Sequence, residues 1–164
     1  MHKNIILHIQ NPKKLSNMRR IFGLSCMLLL AITLSAQNAN KVMGVWITQE
    51  DDSKVTISQD ASGKYNGEIT WLKNPLNDQG KPKVDDKNPD EKKQNNPIIG
   101  LNLLKGFEYD KSKDQWVNGT IYDPNNGKTY KCLMWFDEDP NKLSVKGYIG
   151  FSVIGREVVW TRDK

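Results

Sequence analysis

The sequence predicts an all-β fold, a single antiparallel up-and-down β-barrel of about eight strands. Three observations point there. Beyond residue 40 the chain alternates short runs rich in Val, Ile, Thr, Tyr and Trp with segments dense in Gly, Pro, Asn and Asp. No amphipathic helical period runs longer than two turns. The runs number about eight, which suits closure into a sandwich or a barrel, and an eight-stranded barrel has room inside for one small ligand.

The runs follow in order. "VMGVWIT", "KVTISQ" and "YNGEITWL" come first, with a hairpin turn expected over Asp60 to Lys64 on Gly63. Residues 73–97 form a long polar loop, "KNPLNDQGKPKVDDKNPDEKKQNNP", too poor in apolar residues to order itself alone. Such a loop is either a mobile surface segment or a lid. Then come "GLNLLKGFEYD", "QWVNGTIYD", "KTYKCLMWFD", "KLSVKGYIGF" and "GREVVWTRD". Only "PIIGLNLLKGF" admits a short helix, through Leu101 and Leu104.

The net charge of +5 is misleading. Lys3, Lys13, Lys14, Arg19 and Arg20 fall within residues 1–36, which hold no acid, so the remainder is balanced and carries no nucleic-acid footprint. Residues 1–36 read as a secretory signal peptide, with Arg19 and Arg20 before "IFGLSCMLLLAITLSA" and Met18 as an alternative start. A lipid-anchored Cys26 is a minor alternative. The expected mature chain, 37–164, is then one exported domain, periplasmic or extracellular, with no transmembrane span. It contains Cys132 as its sole cysteine and no histidine, since His2 and His8 lie in the leader. That excludes an intrachain disulfide, His-dependent nucleophile systems and His-ligated metal sites. No cofactor or metal is expected, and the oligomeric state stays open.

The tripeptide GKT within "NGTIYDPNNGKTY" resembles the end of a phosphate-binding loop, but Tyr122 stands where that loop needs its first glycine. The flanks are strands and the segment is a hairpin turn. Asp123 and Pro124 open it, Gly127 closes it, and Tyr122 is expected opposite Tyr130.

Strand parity gives Trp116, Asn118, Thr120 and Tyr122 a common face of their strand, and Arg156, Val158, Trp160 and Arg162 a common face of theirs. An interior of aromatic rings with a few hydroxyls and amides suits an apolar ligand held by directional polar groups. The candidate contacts are Tyr65, Trp71, Trp116, Asn118, Tyr122, Tyr130 and Tyr148, inside the barrel mouth beside loop 73–97. The alternative is a barrel filled by those same rings.

"GVWIT" near the start and "VVWTR" at the end resemble the signature of the lipocalin-like superfamily. The resemblance implies that Gly44 and Trp46 lie at the closed base of the barrel, that Trp160 belongs to the closing motif, and that Arg162 covers the Trp46 indole. Over nearly the whole expected mature chain, "GVW", "DDKNPDEKKQNNPIIG", "GTIYDPNNGKTY", "LSVKGYIG" and "GREVVWTR" resemble the secreted bacterial family called domain of unknown function 2147. Where that family tends to carry arginines this chain has Lys92 and Lys93.

Binding of a small apolar or amphipathic ligand is therefore the leading functional expectation. A non-catalytic envelope interaction protein with a filled barrel is the alternative. An enzyme is less favoured and would have to pair carboxylates among Glu68, Glu108, Asp123 and Glu157.

Overall fold

The computed structural model describes residues 38–163, so the expected signal segment lies outside the described residues. The barrel belongs to the unit Ala39–Lys164. Its strands are β1 (Gly44–Ile47), β2 (Ser53–Gln59), β3 (Tyr65–Leu72), β4 (Asn102–Asp110), β5 (Gln115–Asp123), β6 (Lys128–Phe136), β7 (Lys142–Tyr148) and β8 (Gly155–Arg162). Each pairs antiparallel with the next, and β8 returns to β1 through Trp46 opposite Arg162 and Ile47 opposite Thr161. The result is a closed up-and-down barrel in chain order. The ambiguous run before Asn102 is no helix; β4 begins there. No helix among the described residues is long and apolar enough to cross a membrane.

The turns follow from local chemistry. Between β2 and β3 the Asp60 carboxylate accepts from the Ser62 and Lys64 amides, and Gly63 takes φ 82°. Between β5 and β6, Asp123 Oδ1 accepts from the Asn125 amide at 3.0 Å, and the Gly127 amide donates to the Asp123 carbonyl at 2.8 Å. This turn sets Asp123 opposite Lys128, so Tyr122 faces Thr129 and Ile121 faces Tyr130. The register expected from the sequence was off by one.

Connections alternate between the two ends. One end carries the chain before β1 and the β2–β3, β4–β5 and β6–β7 turns. The other, the rim, carries loops 48–52, 73–101, 124–127 and 149–154.

Four irregularities break the alternation of side chains. Thr70 is an extra residue of β3 opposite the Lys54–Val55 step. In β4 the pairing with β3 shifts twice, around Gly106, which has φ 76°, and again at Leu103. In β5 it shifts between Trp116 and Gly119, where Asn118 takes φ 62°. Each shift sends the residues beyond it to the opposite face from the one a simple period of two assigns.

The interior is packed with the chain's own side chains. Trp46, Val55, Leu104, Phe107, Trp116, Cys132, Met134 and Leu143 have no exposed surface, and Ile57, Val145 and Trp160 nearly none. Gly67 and Gly119 make room for this packing. A Cβ on Gly119 would stand 2.4 Å from the Phe107 ring, and one on Gly67 would stand 2.9 Å from Leu104 Cδ1. Each absent side chain lets a larger one lie across the barrel, which is how a small barrel reaches interior packing density.

Candidate functional site

The closed end is built around a cation stacked on an indole. The Arg162 guanidinium carbon lies 4.2 Å from the Trp46 ring centroid. Its Nη1 donates to the Met43 carbonyl at 3.0 Å and its Nη2 to the Lys41 carbonyl at 2.6 Å. Burial lowers the guanidinium pKa, and these acceptors offset the cost of removing it from water. Gly44 has a spatial reason in addition to φ 125°, since a Cβ there would stand 2.9 Å from Arg162 Nη1.

Residues 39–43 form a plug tied to several strands. Trp116 Nε1 donates to the Ala39 carbonyl, the Tyr65 hydroxyl to Asn40 Oδ1, and Trp46 Nε1 to the Val42 carbonyl. Lys41 pairs with Asp114 at 2.6 Å and lies 5.2 Å from the Phe136 ring centroid. The rings beneath are mutually tilted or edge-on, Trp116 meeting Phe136 at 5.6 Å and Tyr65 at 6.5 Å.

The structure separates the seven residues that parity had gathered. Tyr65 and Trp116 face inward but belong to the closed end, with both polar atoms engaged by the plug. Trp71 lies beyond the Thr70 bulge, on the outside, 41% exposed under Lys54. Asn118 occupies the β5 bulge, exposed, and donates to Glu108 Oε2. Tyr122 follows that bulge to the outer face. Tyr148 shares the outward parity of Ser144 and Lys146, because β7 pairs without irregularity on both sides. Tyr130 alone of the seven faces inward near the rim, half-buried, its hydroxyl accepting from Asn126 Nδ2 at 3.2 Å.

The long loop is ordered, in contrast to the sequence expectation. Val84 bridges Pro97 and Leu76 bridges Pro82. The Asp90 carboxylate caps a 3-10 turn over Glu91–Lys93, and Gln94 Nε2 donates to the Asn88 carbonyl. The anchor is Asp85, 1% exposed, which accepts from the Tyr122 hydroxyl at 2.8 Å and from Asn88 Nδ2 at 2.6 Å. Tyr122, one residue past Ile121, which faces Leu104, is buried on the outer face beneath the loop. Lys87 rests on the hairpin, its carbonyl oxygen only 1.9 Å from where a Gly127 Cβ would be. The segments "DDKNPDEKK" and "DPNNGKTY" are therefore two sides of one contact. Composition missed this order because its anchors are a carboxylate, a phenol and a glycine rather than apolar area.

At the rim, loop 149–154 has the sequence "IGFSVI", in which Ile149, Phe151, Val153 and Ile154 are 75%, 84%, 86% and 76% exposed. The Ile154 amide closes the tip on the Phe151 carbonyl at 3.2 Å. An apolar cluster this exposed marks a contact surface. The sequence reading had run β7 on through Phe151, whereas pairing stops at Tyr148. The unbroken apolar run around Gly150 was the available signal.

The carboxylates considered for catalysis are dispersed. Glu108 pairs with Lys64 and Asn118, which hold its pKa below the usual range. Asp123 accepts from the Asn125 amide and Asn126 Nδ2 within its turn. Glu157 lies 4.0 Å from Lys146. Glu68 is exposed on the outer face opposite Thr56, along a shallow groove shared with Ser58, Asp60, Asn66 and Asn102. Cys132 is buried, and loss of solvation pushes its thiol up to about 12.

A closed eight-stranded barrel with an aromatic floor under an arginine is a lipocalin-like fold. A solved structure described as a Helicobacter pylori protein, HP1028, of the lipocalin family is similar to this chain, with TM-score 0.62 and 24% identity, over 75% of this chain and 83% of the other. No curated protein matches. Residues 44–162 match the model of domain of unknown function 2147, described as uncharacterized protein conserved in bacteria. The chain belongs to that family.

Proposed function

We propose that the chain is an exported, non-catalytic binding protein that takes a small apolar or amphipathic molecule at its rim rather than deep in its barrel. The exposure of Ile149, Phe151, Val153 and Ile154 is the observation that carries this reading. Large apolar side chains left in water are costly to keep without a partner. The floor is taken by Trp46, Trp116, Phe107 and Met134, which leaves the rim as the place for a ligand. Tyr130 and Asn126 supply oriented polar groups at that end.

Titration with a fluorescent long-chain fatty acid, kept below its micellar concentration, tests this. Saturation at one equivalent is expected. Affinity should fall at least tenfold in Phe151→Asp and stay unchanged in Glu68→Gln, a change on the exposed outer face of β3. Failure of fatty acids, sterols and tetrapyrroles alike to bind below about millimolar, worth only ~4 kcal/mol, overturns the reading. The filling of the barrel favours a second reading, an envelope interaction protein, for which the same loop would meet a protein. Export is tested separately: the protein recovered outside the cytoplasm should begin at Gln37.

A further inference from the structure

We infer that the rim docks on an anionic lipid surface, with the tip of loop 149–154 entering the acyl boundary and the lysines of the adjoining outer face meeting the headgroups. This rests on the rim-binding reading above and gives it a partner. The tip is the first observation. It has no charge between Lys146 and Arg156, and its four large side chains lie almost wholly in solvent. Aromatic and aliphatic side chains at such a tip suit insertion at the boundary between headgroups and acyl chains.

The second observation is what surrounds the tip. Lys105 pairs opposite Thr120, Thr120 opposite Lys131, and Lys131 opposite Tyr148. These four residues make one row across the outer face from β4 to β7, ending where the loop begins. Lys105 and Lys131 are exposed, and Lys146 stands on the same face two residues before Tyr148. The acids nearby are occupied, Glu157 beside Lys146 and Asp123 within its own turn. Tyrosine flanked by lysines above an apolar tip has the chemistry of a headgroup layer.

The other flank of the tip, across β8, has the reverse sign. Glu50, Asp51 and Asp52 lie around the β1–β2 connection, Glu50 holding Arg156 at 2.9 Å. An anionic surface would therefore be met obliquely, by the β4–β7 side. A second copy is a poorer occupant, because a two-fold contact through the tip sets the lysines of one chain against those of the other.

Co-sedimentation of the exported protein with large vesicles tests the docking. Vesicles of phosphatidylcholine mixed with phosphatidylglycerol should carry it down, and pure phosphatidylcholine should retain far less. The double variant Phe151→Asp, Ile154→Asp should lose binding at least tenfold, and Lys131→Ala and Lys146→Ala about fivefold each, with high salt acting in the same direction. Phe151, Ile154 and Lys131 are exposed and Lys146 is half-buried, and an unchanged thermal midpoint in each variant separates lost docking from lost folding. Docking is overturned if the wild-type protein stays in the supernatant, or if the Asp substitutions leave binding intact. It is also overturned if those substitutions instead abolish a concentration-dependent dimer. Saturable fatty-acid binding without vesicle binding would sink the docking and leave the rim-binding reading standing; loss of both would sink both.

Discussion

The Tyr122 hydroxyl donates to Asp85 Oδ1 at 2.8 Å, and this bond joins a loop between β3 and β4 to the outer face of β5. Asp85 is buried, and Asn88 is its other side-chain donor. Tyr122→Phe therefore leaves a buried carboxylate short of one partner, with an expected cost of about 1–3 kcal/mol. Chemical denaturation measures the loss. Limited proteolysis should show cleavage within 85–97 appearing in the variant.

The same bond has a pH signature. Burial, and then the hydrogen bond to Asp85, push the Tyr122 phenol up to about 12, from an ordinary value of 10.0. The folded state thus favours the neutral phenol. Its contribution is complete below pH 10 and is lost as pH rises towards about 12. Tyr109 is also pushed up to about 12 and Tyr65 is raised, so alkaline unfolding remains in Tyr122→Phe. The difference in stability between wild type and variant should shrink across that window; a constant difference would contradict the linkage.

Trp46 and Arg162 should be energetically coupled. Trp46→Ala is expected to cost about 3–5 kcal/mol. Arg162→Ala loses the ring contact and both bonds to the plug, about 1.5–3 kcal/mol. A double-mutant cycle in denaturant should give a coupling of at least about 0.5 kcal/mol, and strict additivity would show that the stacking carries no energy.

Gly119→Ala is expected to overpack the barrel by about 1–3 kcal/mol, because the new methyl meets the Phe107 ring. Phe107→Leu in the same chain should recover part of the loss, although it destabilises the wild type. Thermal midpoints of the four proteins decide this.

Cys132 should resist alkylation in the native state at neutral pH and react stoichiometrically in denaturant, since its thiol is both buried and weakly acidic. Iodoacetamide labelling read by mass spectrometry reports it. Fast labelling of the folded protein would contradict the burial.

The strand plan was legible from turn chemistry: "YNGEITWL" and "QWVNGTIYD" coincide with β3 and β5 residue for residue. The facing of side chains was not. Period-two alternation holds along β7, but the extra residues at Thr70 and Asn118 leave no mark in a hydropathy pattern. They moved Trp71 and Tyr122 to the outside. Gly106 within "LLKGFEYD" was the one visible cue to a bulge. The closed-end chemistry of Trp46 and Arg162 was readable through resemblance. The reason for Gly44, space for Arg162, needed coordinates.

Arg162 reaches back 119 and 121 residues in the chain to the carbonyls of Met43 and Lys41. All other strand neighbours are sequential, and apart from β3 and β4, joined by residues 73–101, they are hairpins that form early because their loops are short. Sealing of the seam thus waits for the last strand to be synthesised. A chain growing on the ribosome has hairpins but no completed floor, and Trp46 lacks its guanidinium cover until residue 162 has emerged. On the export proposed above, this delay would extend the time during which translocation machinery can engage the chain. Nascent chains arrested before Gly155 should be cleaved by protease as readily as unfolded controls, and chains extended past Lys164 by enough linker to clear the ribosome should resist.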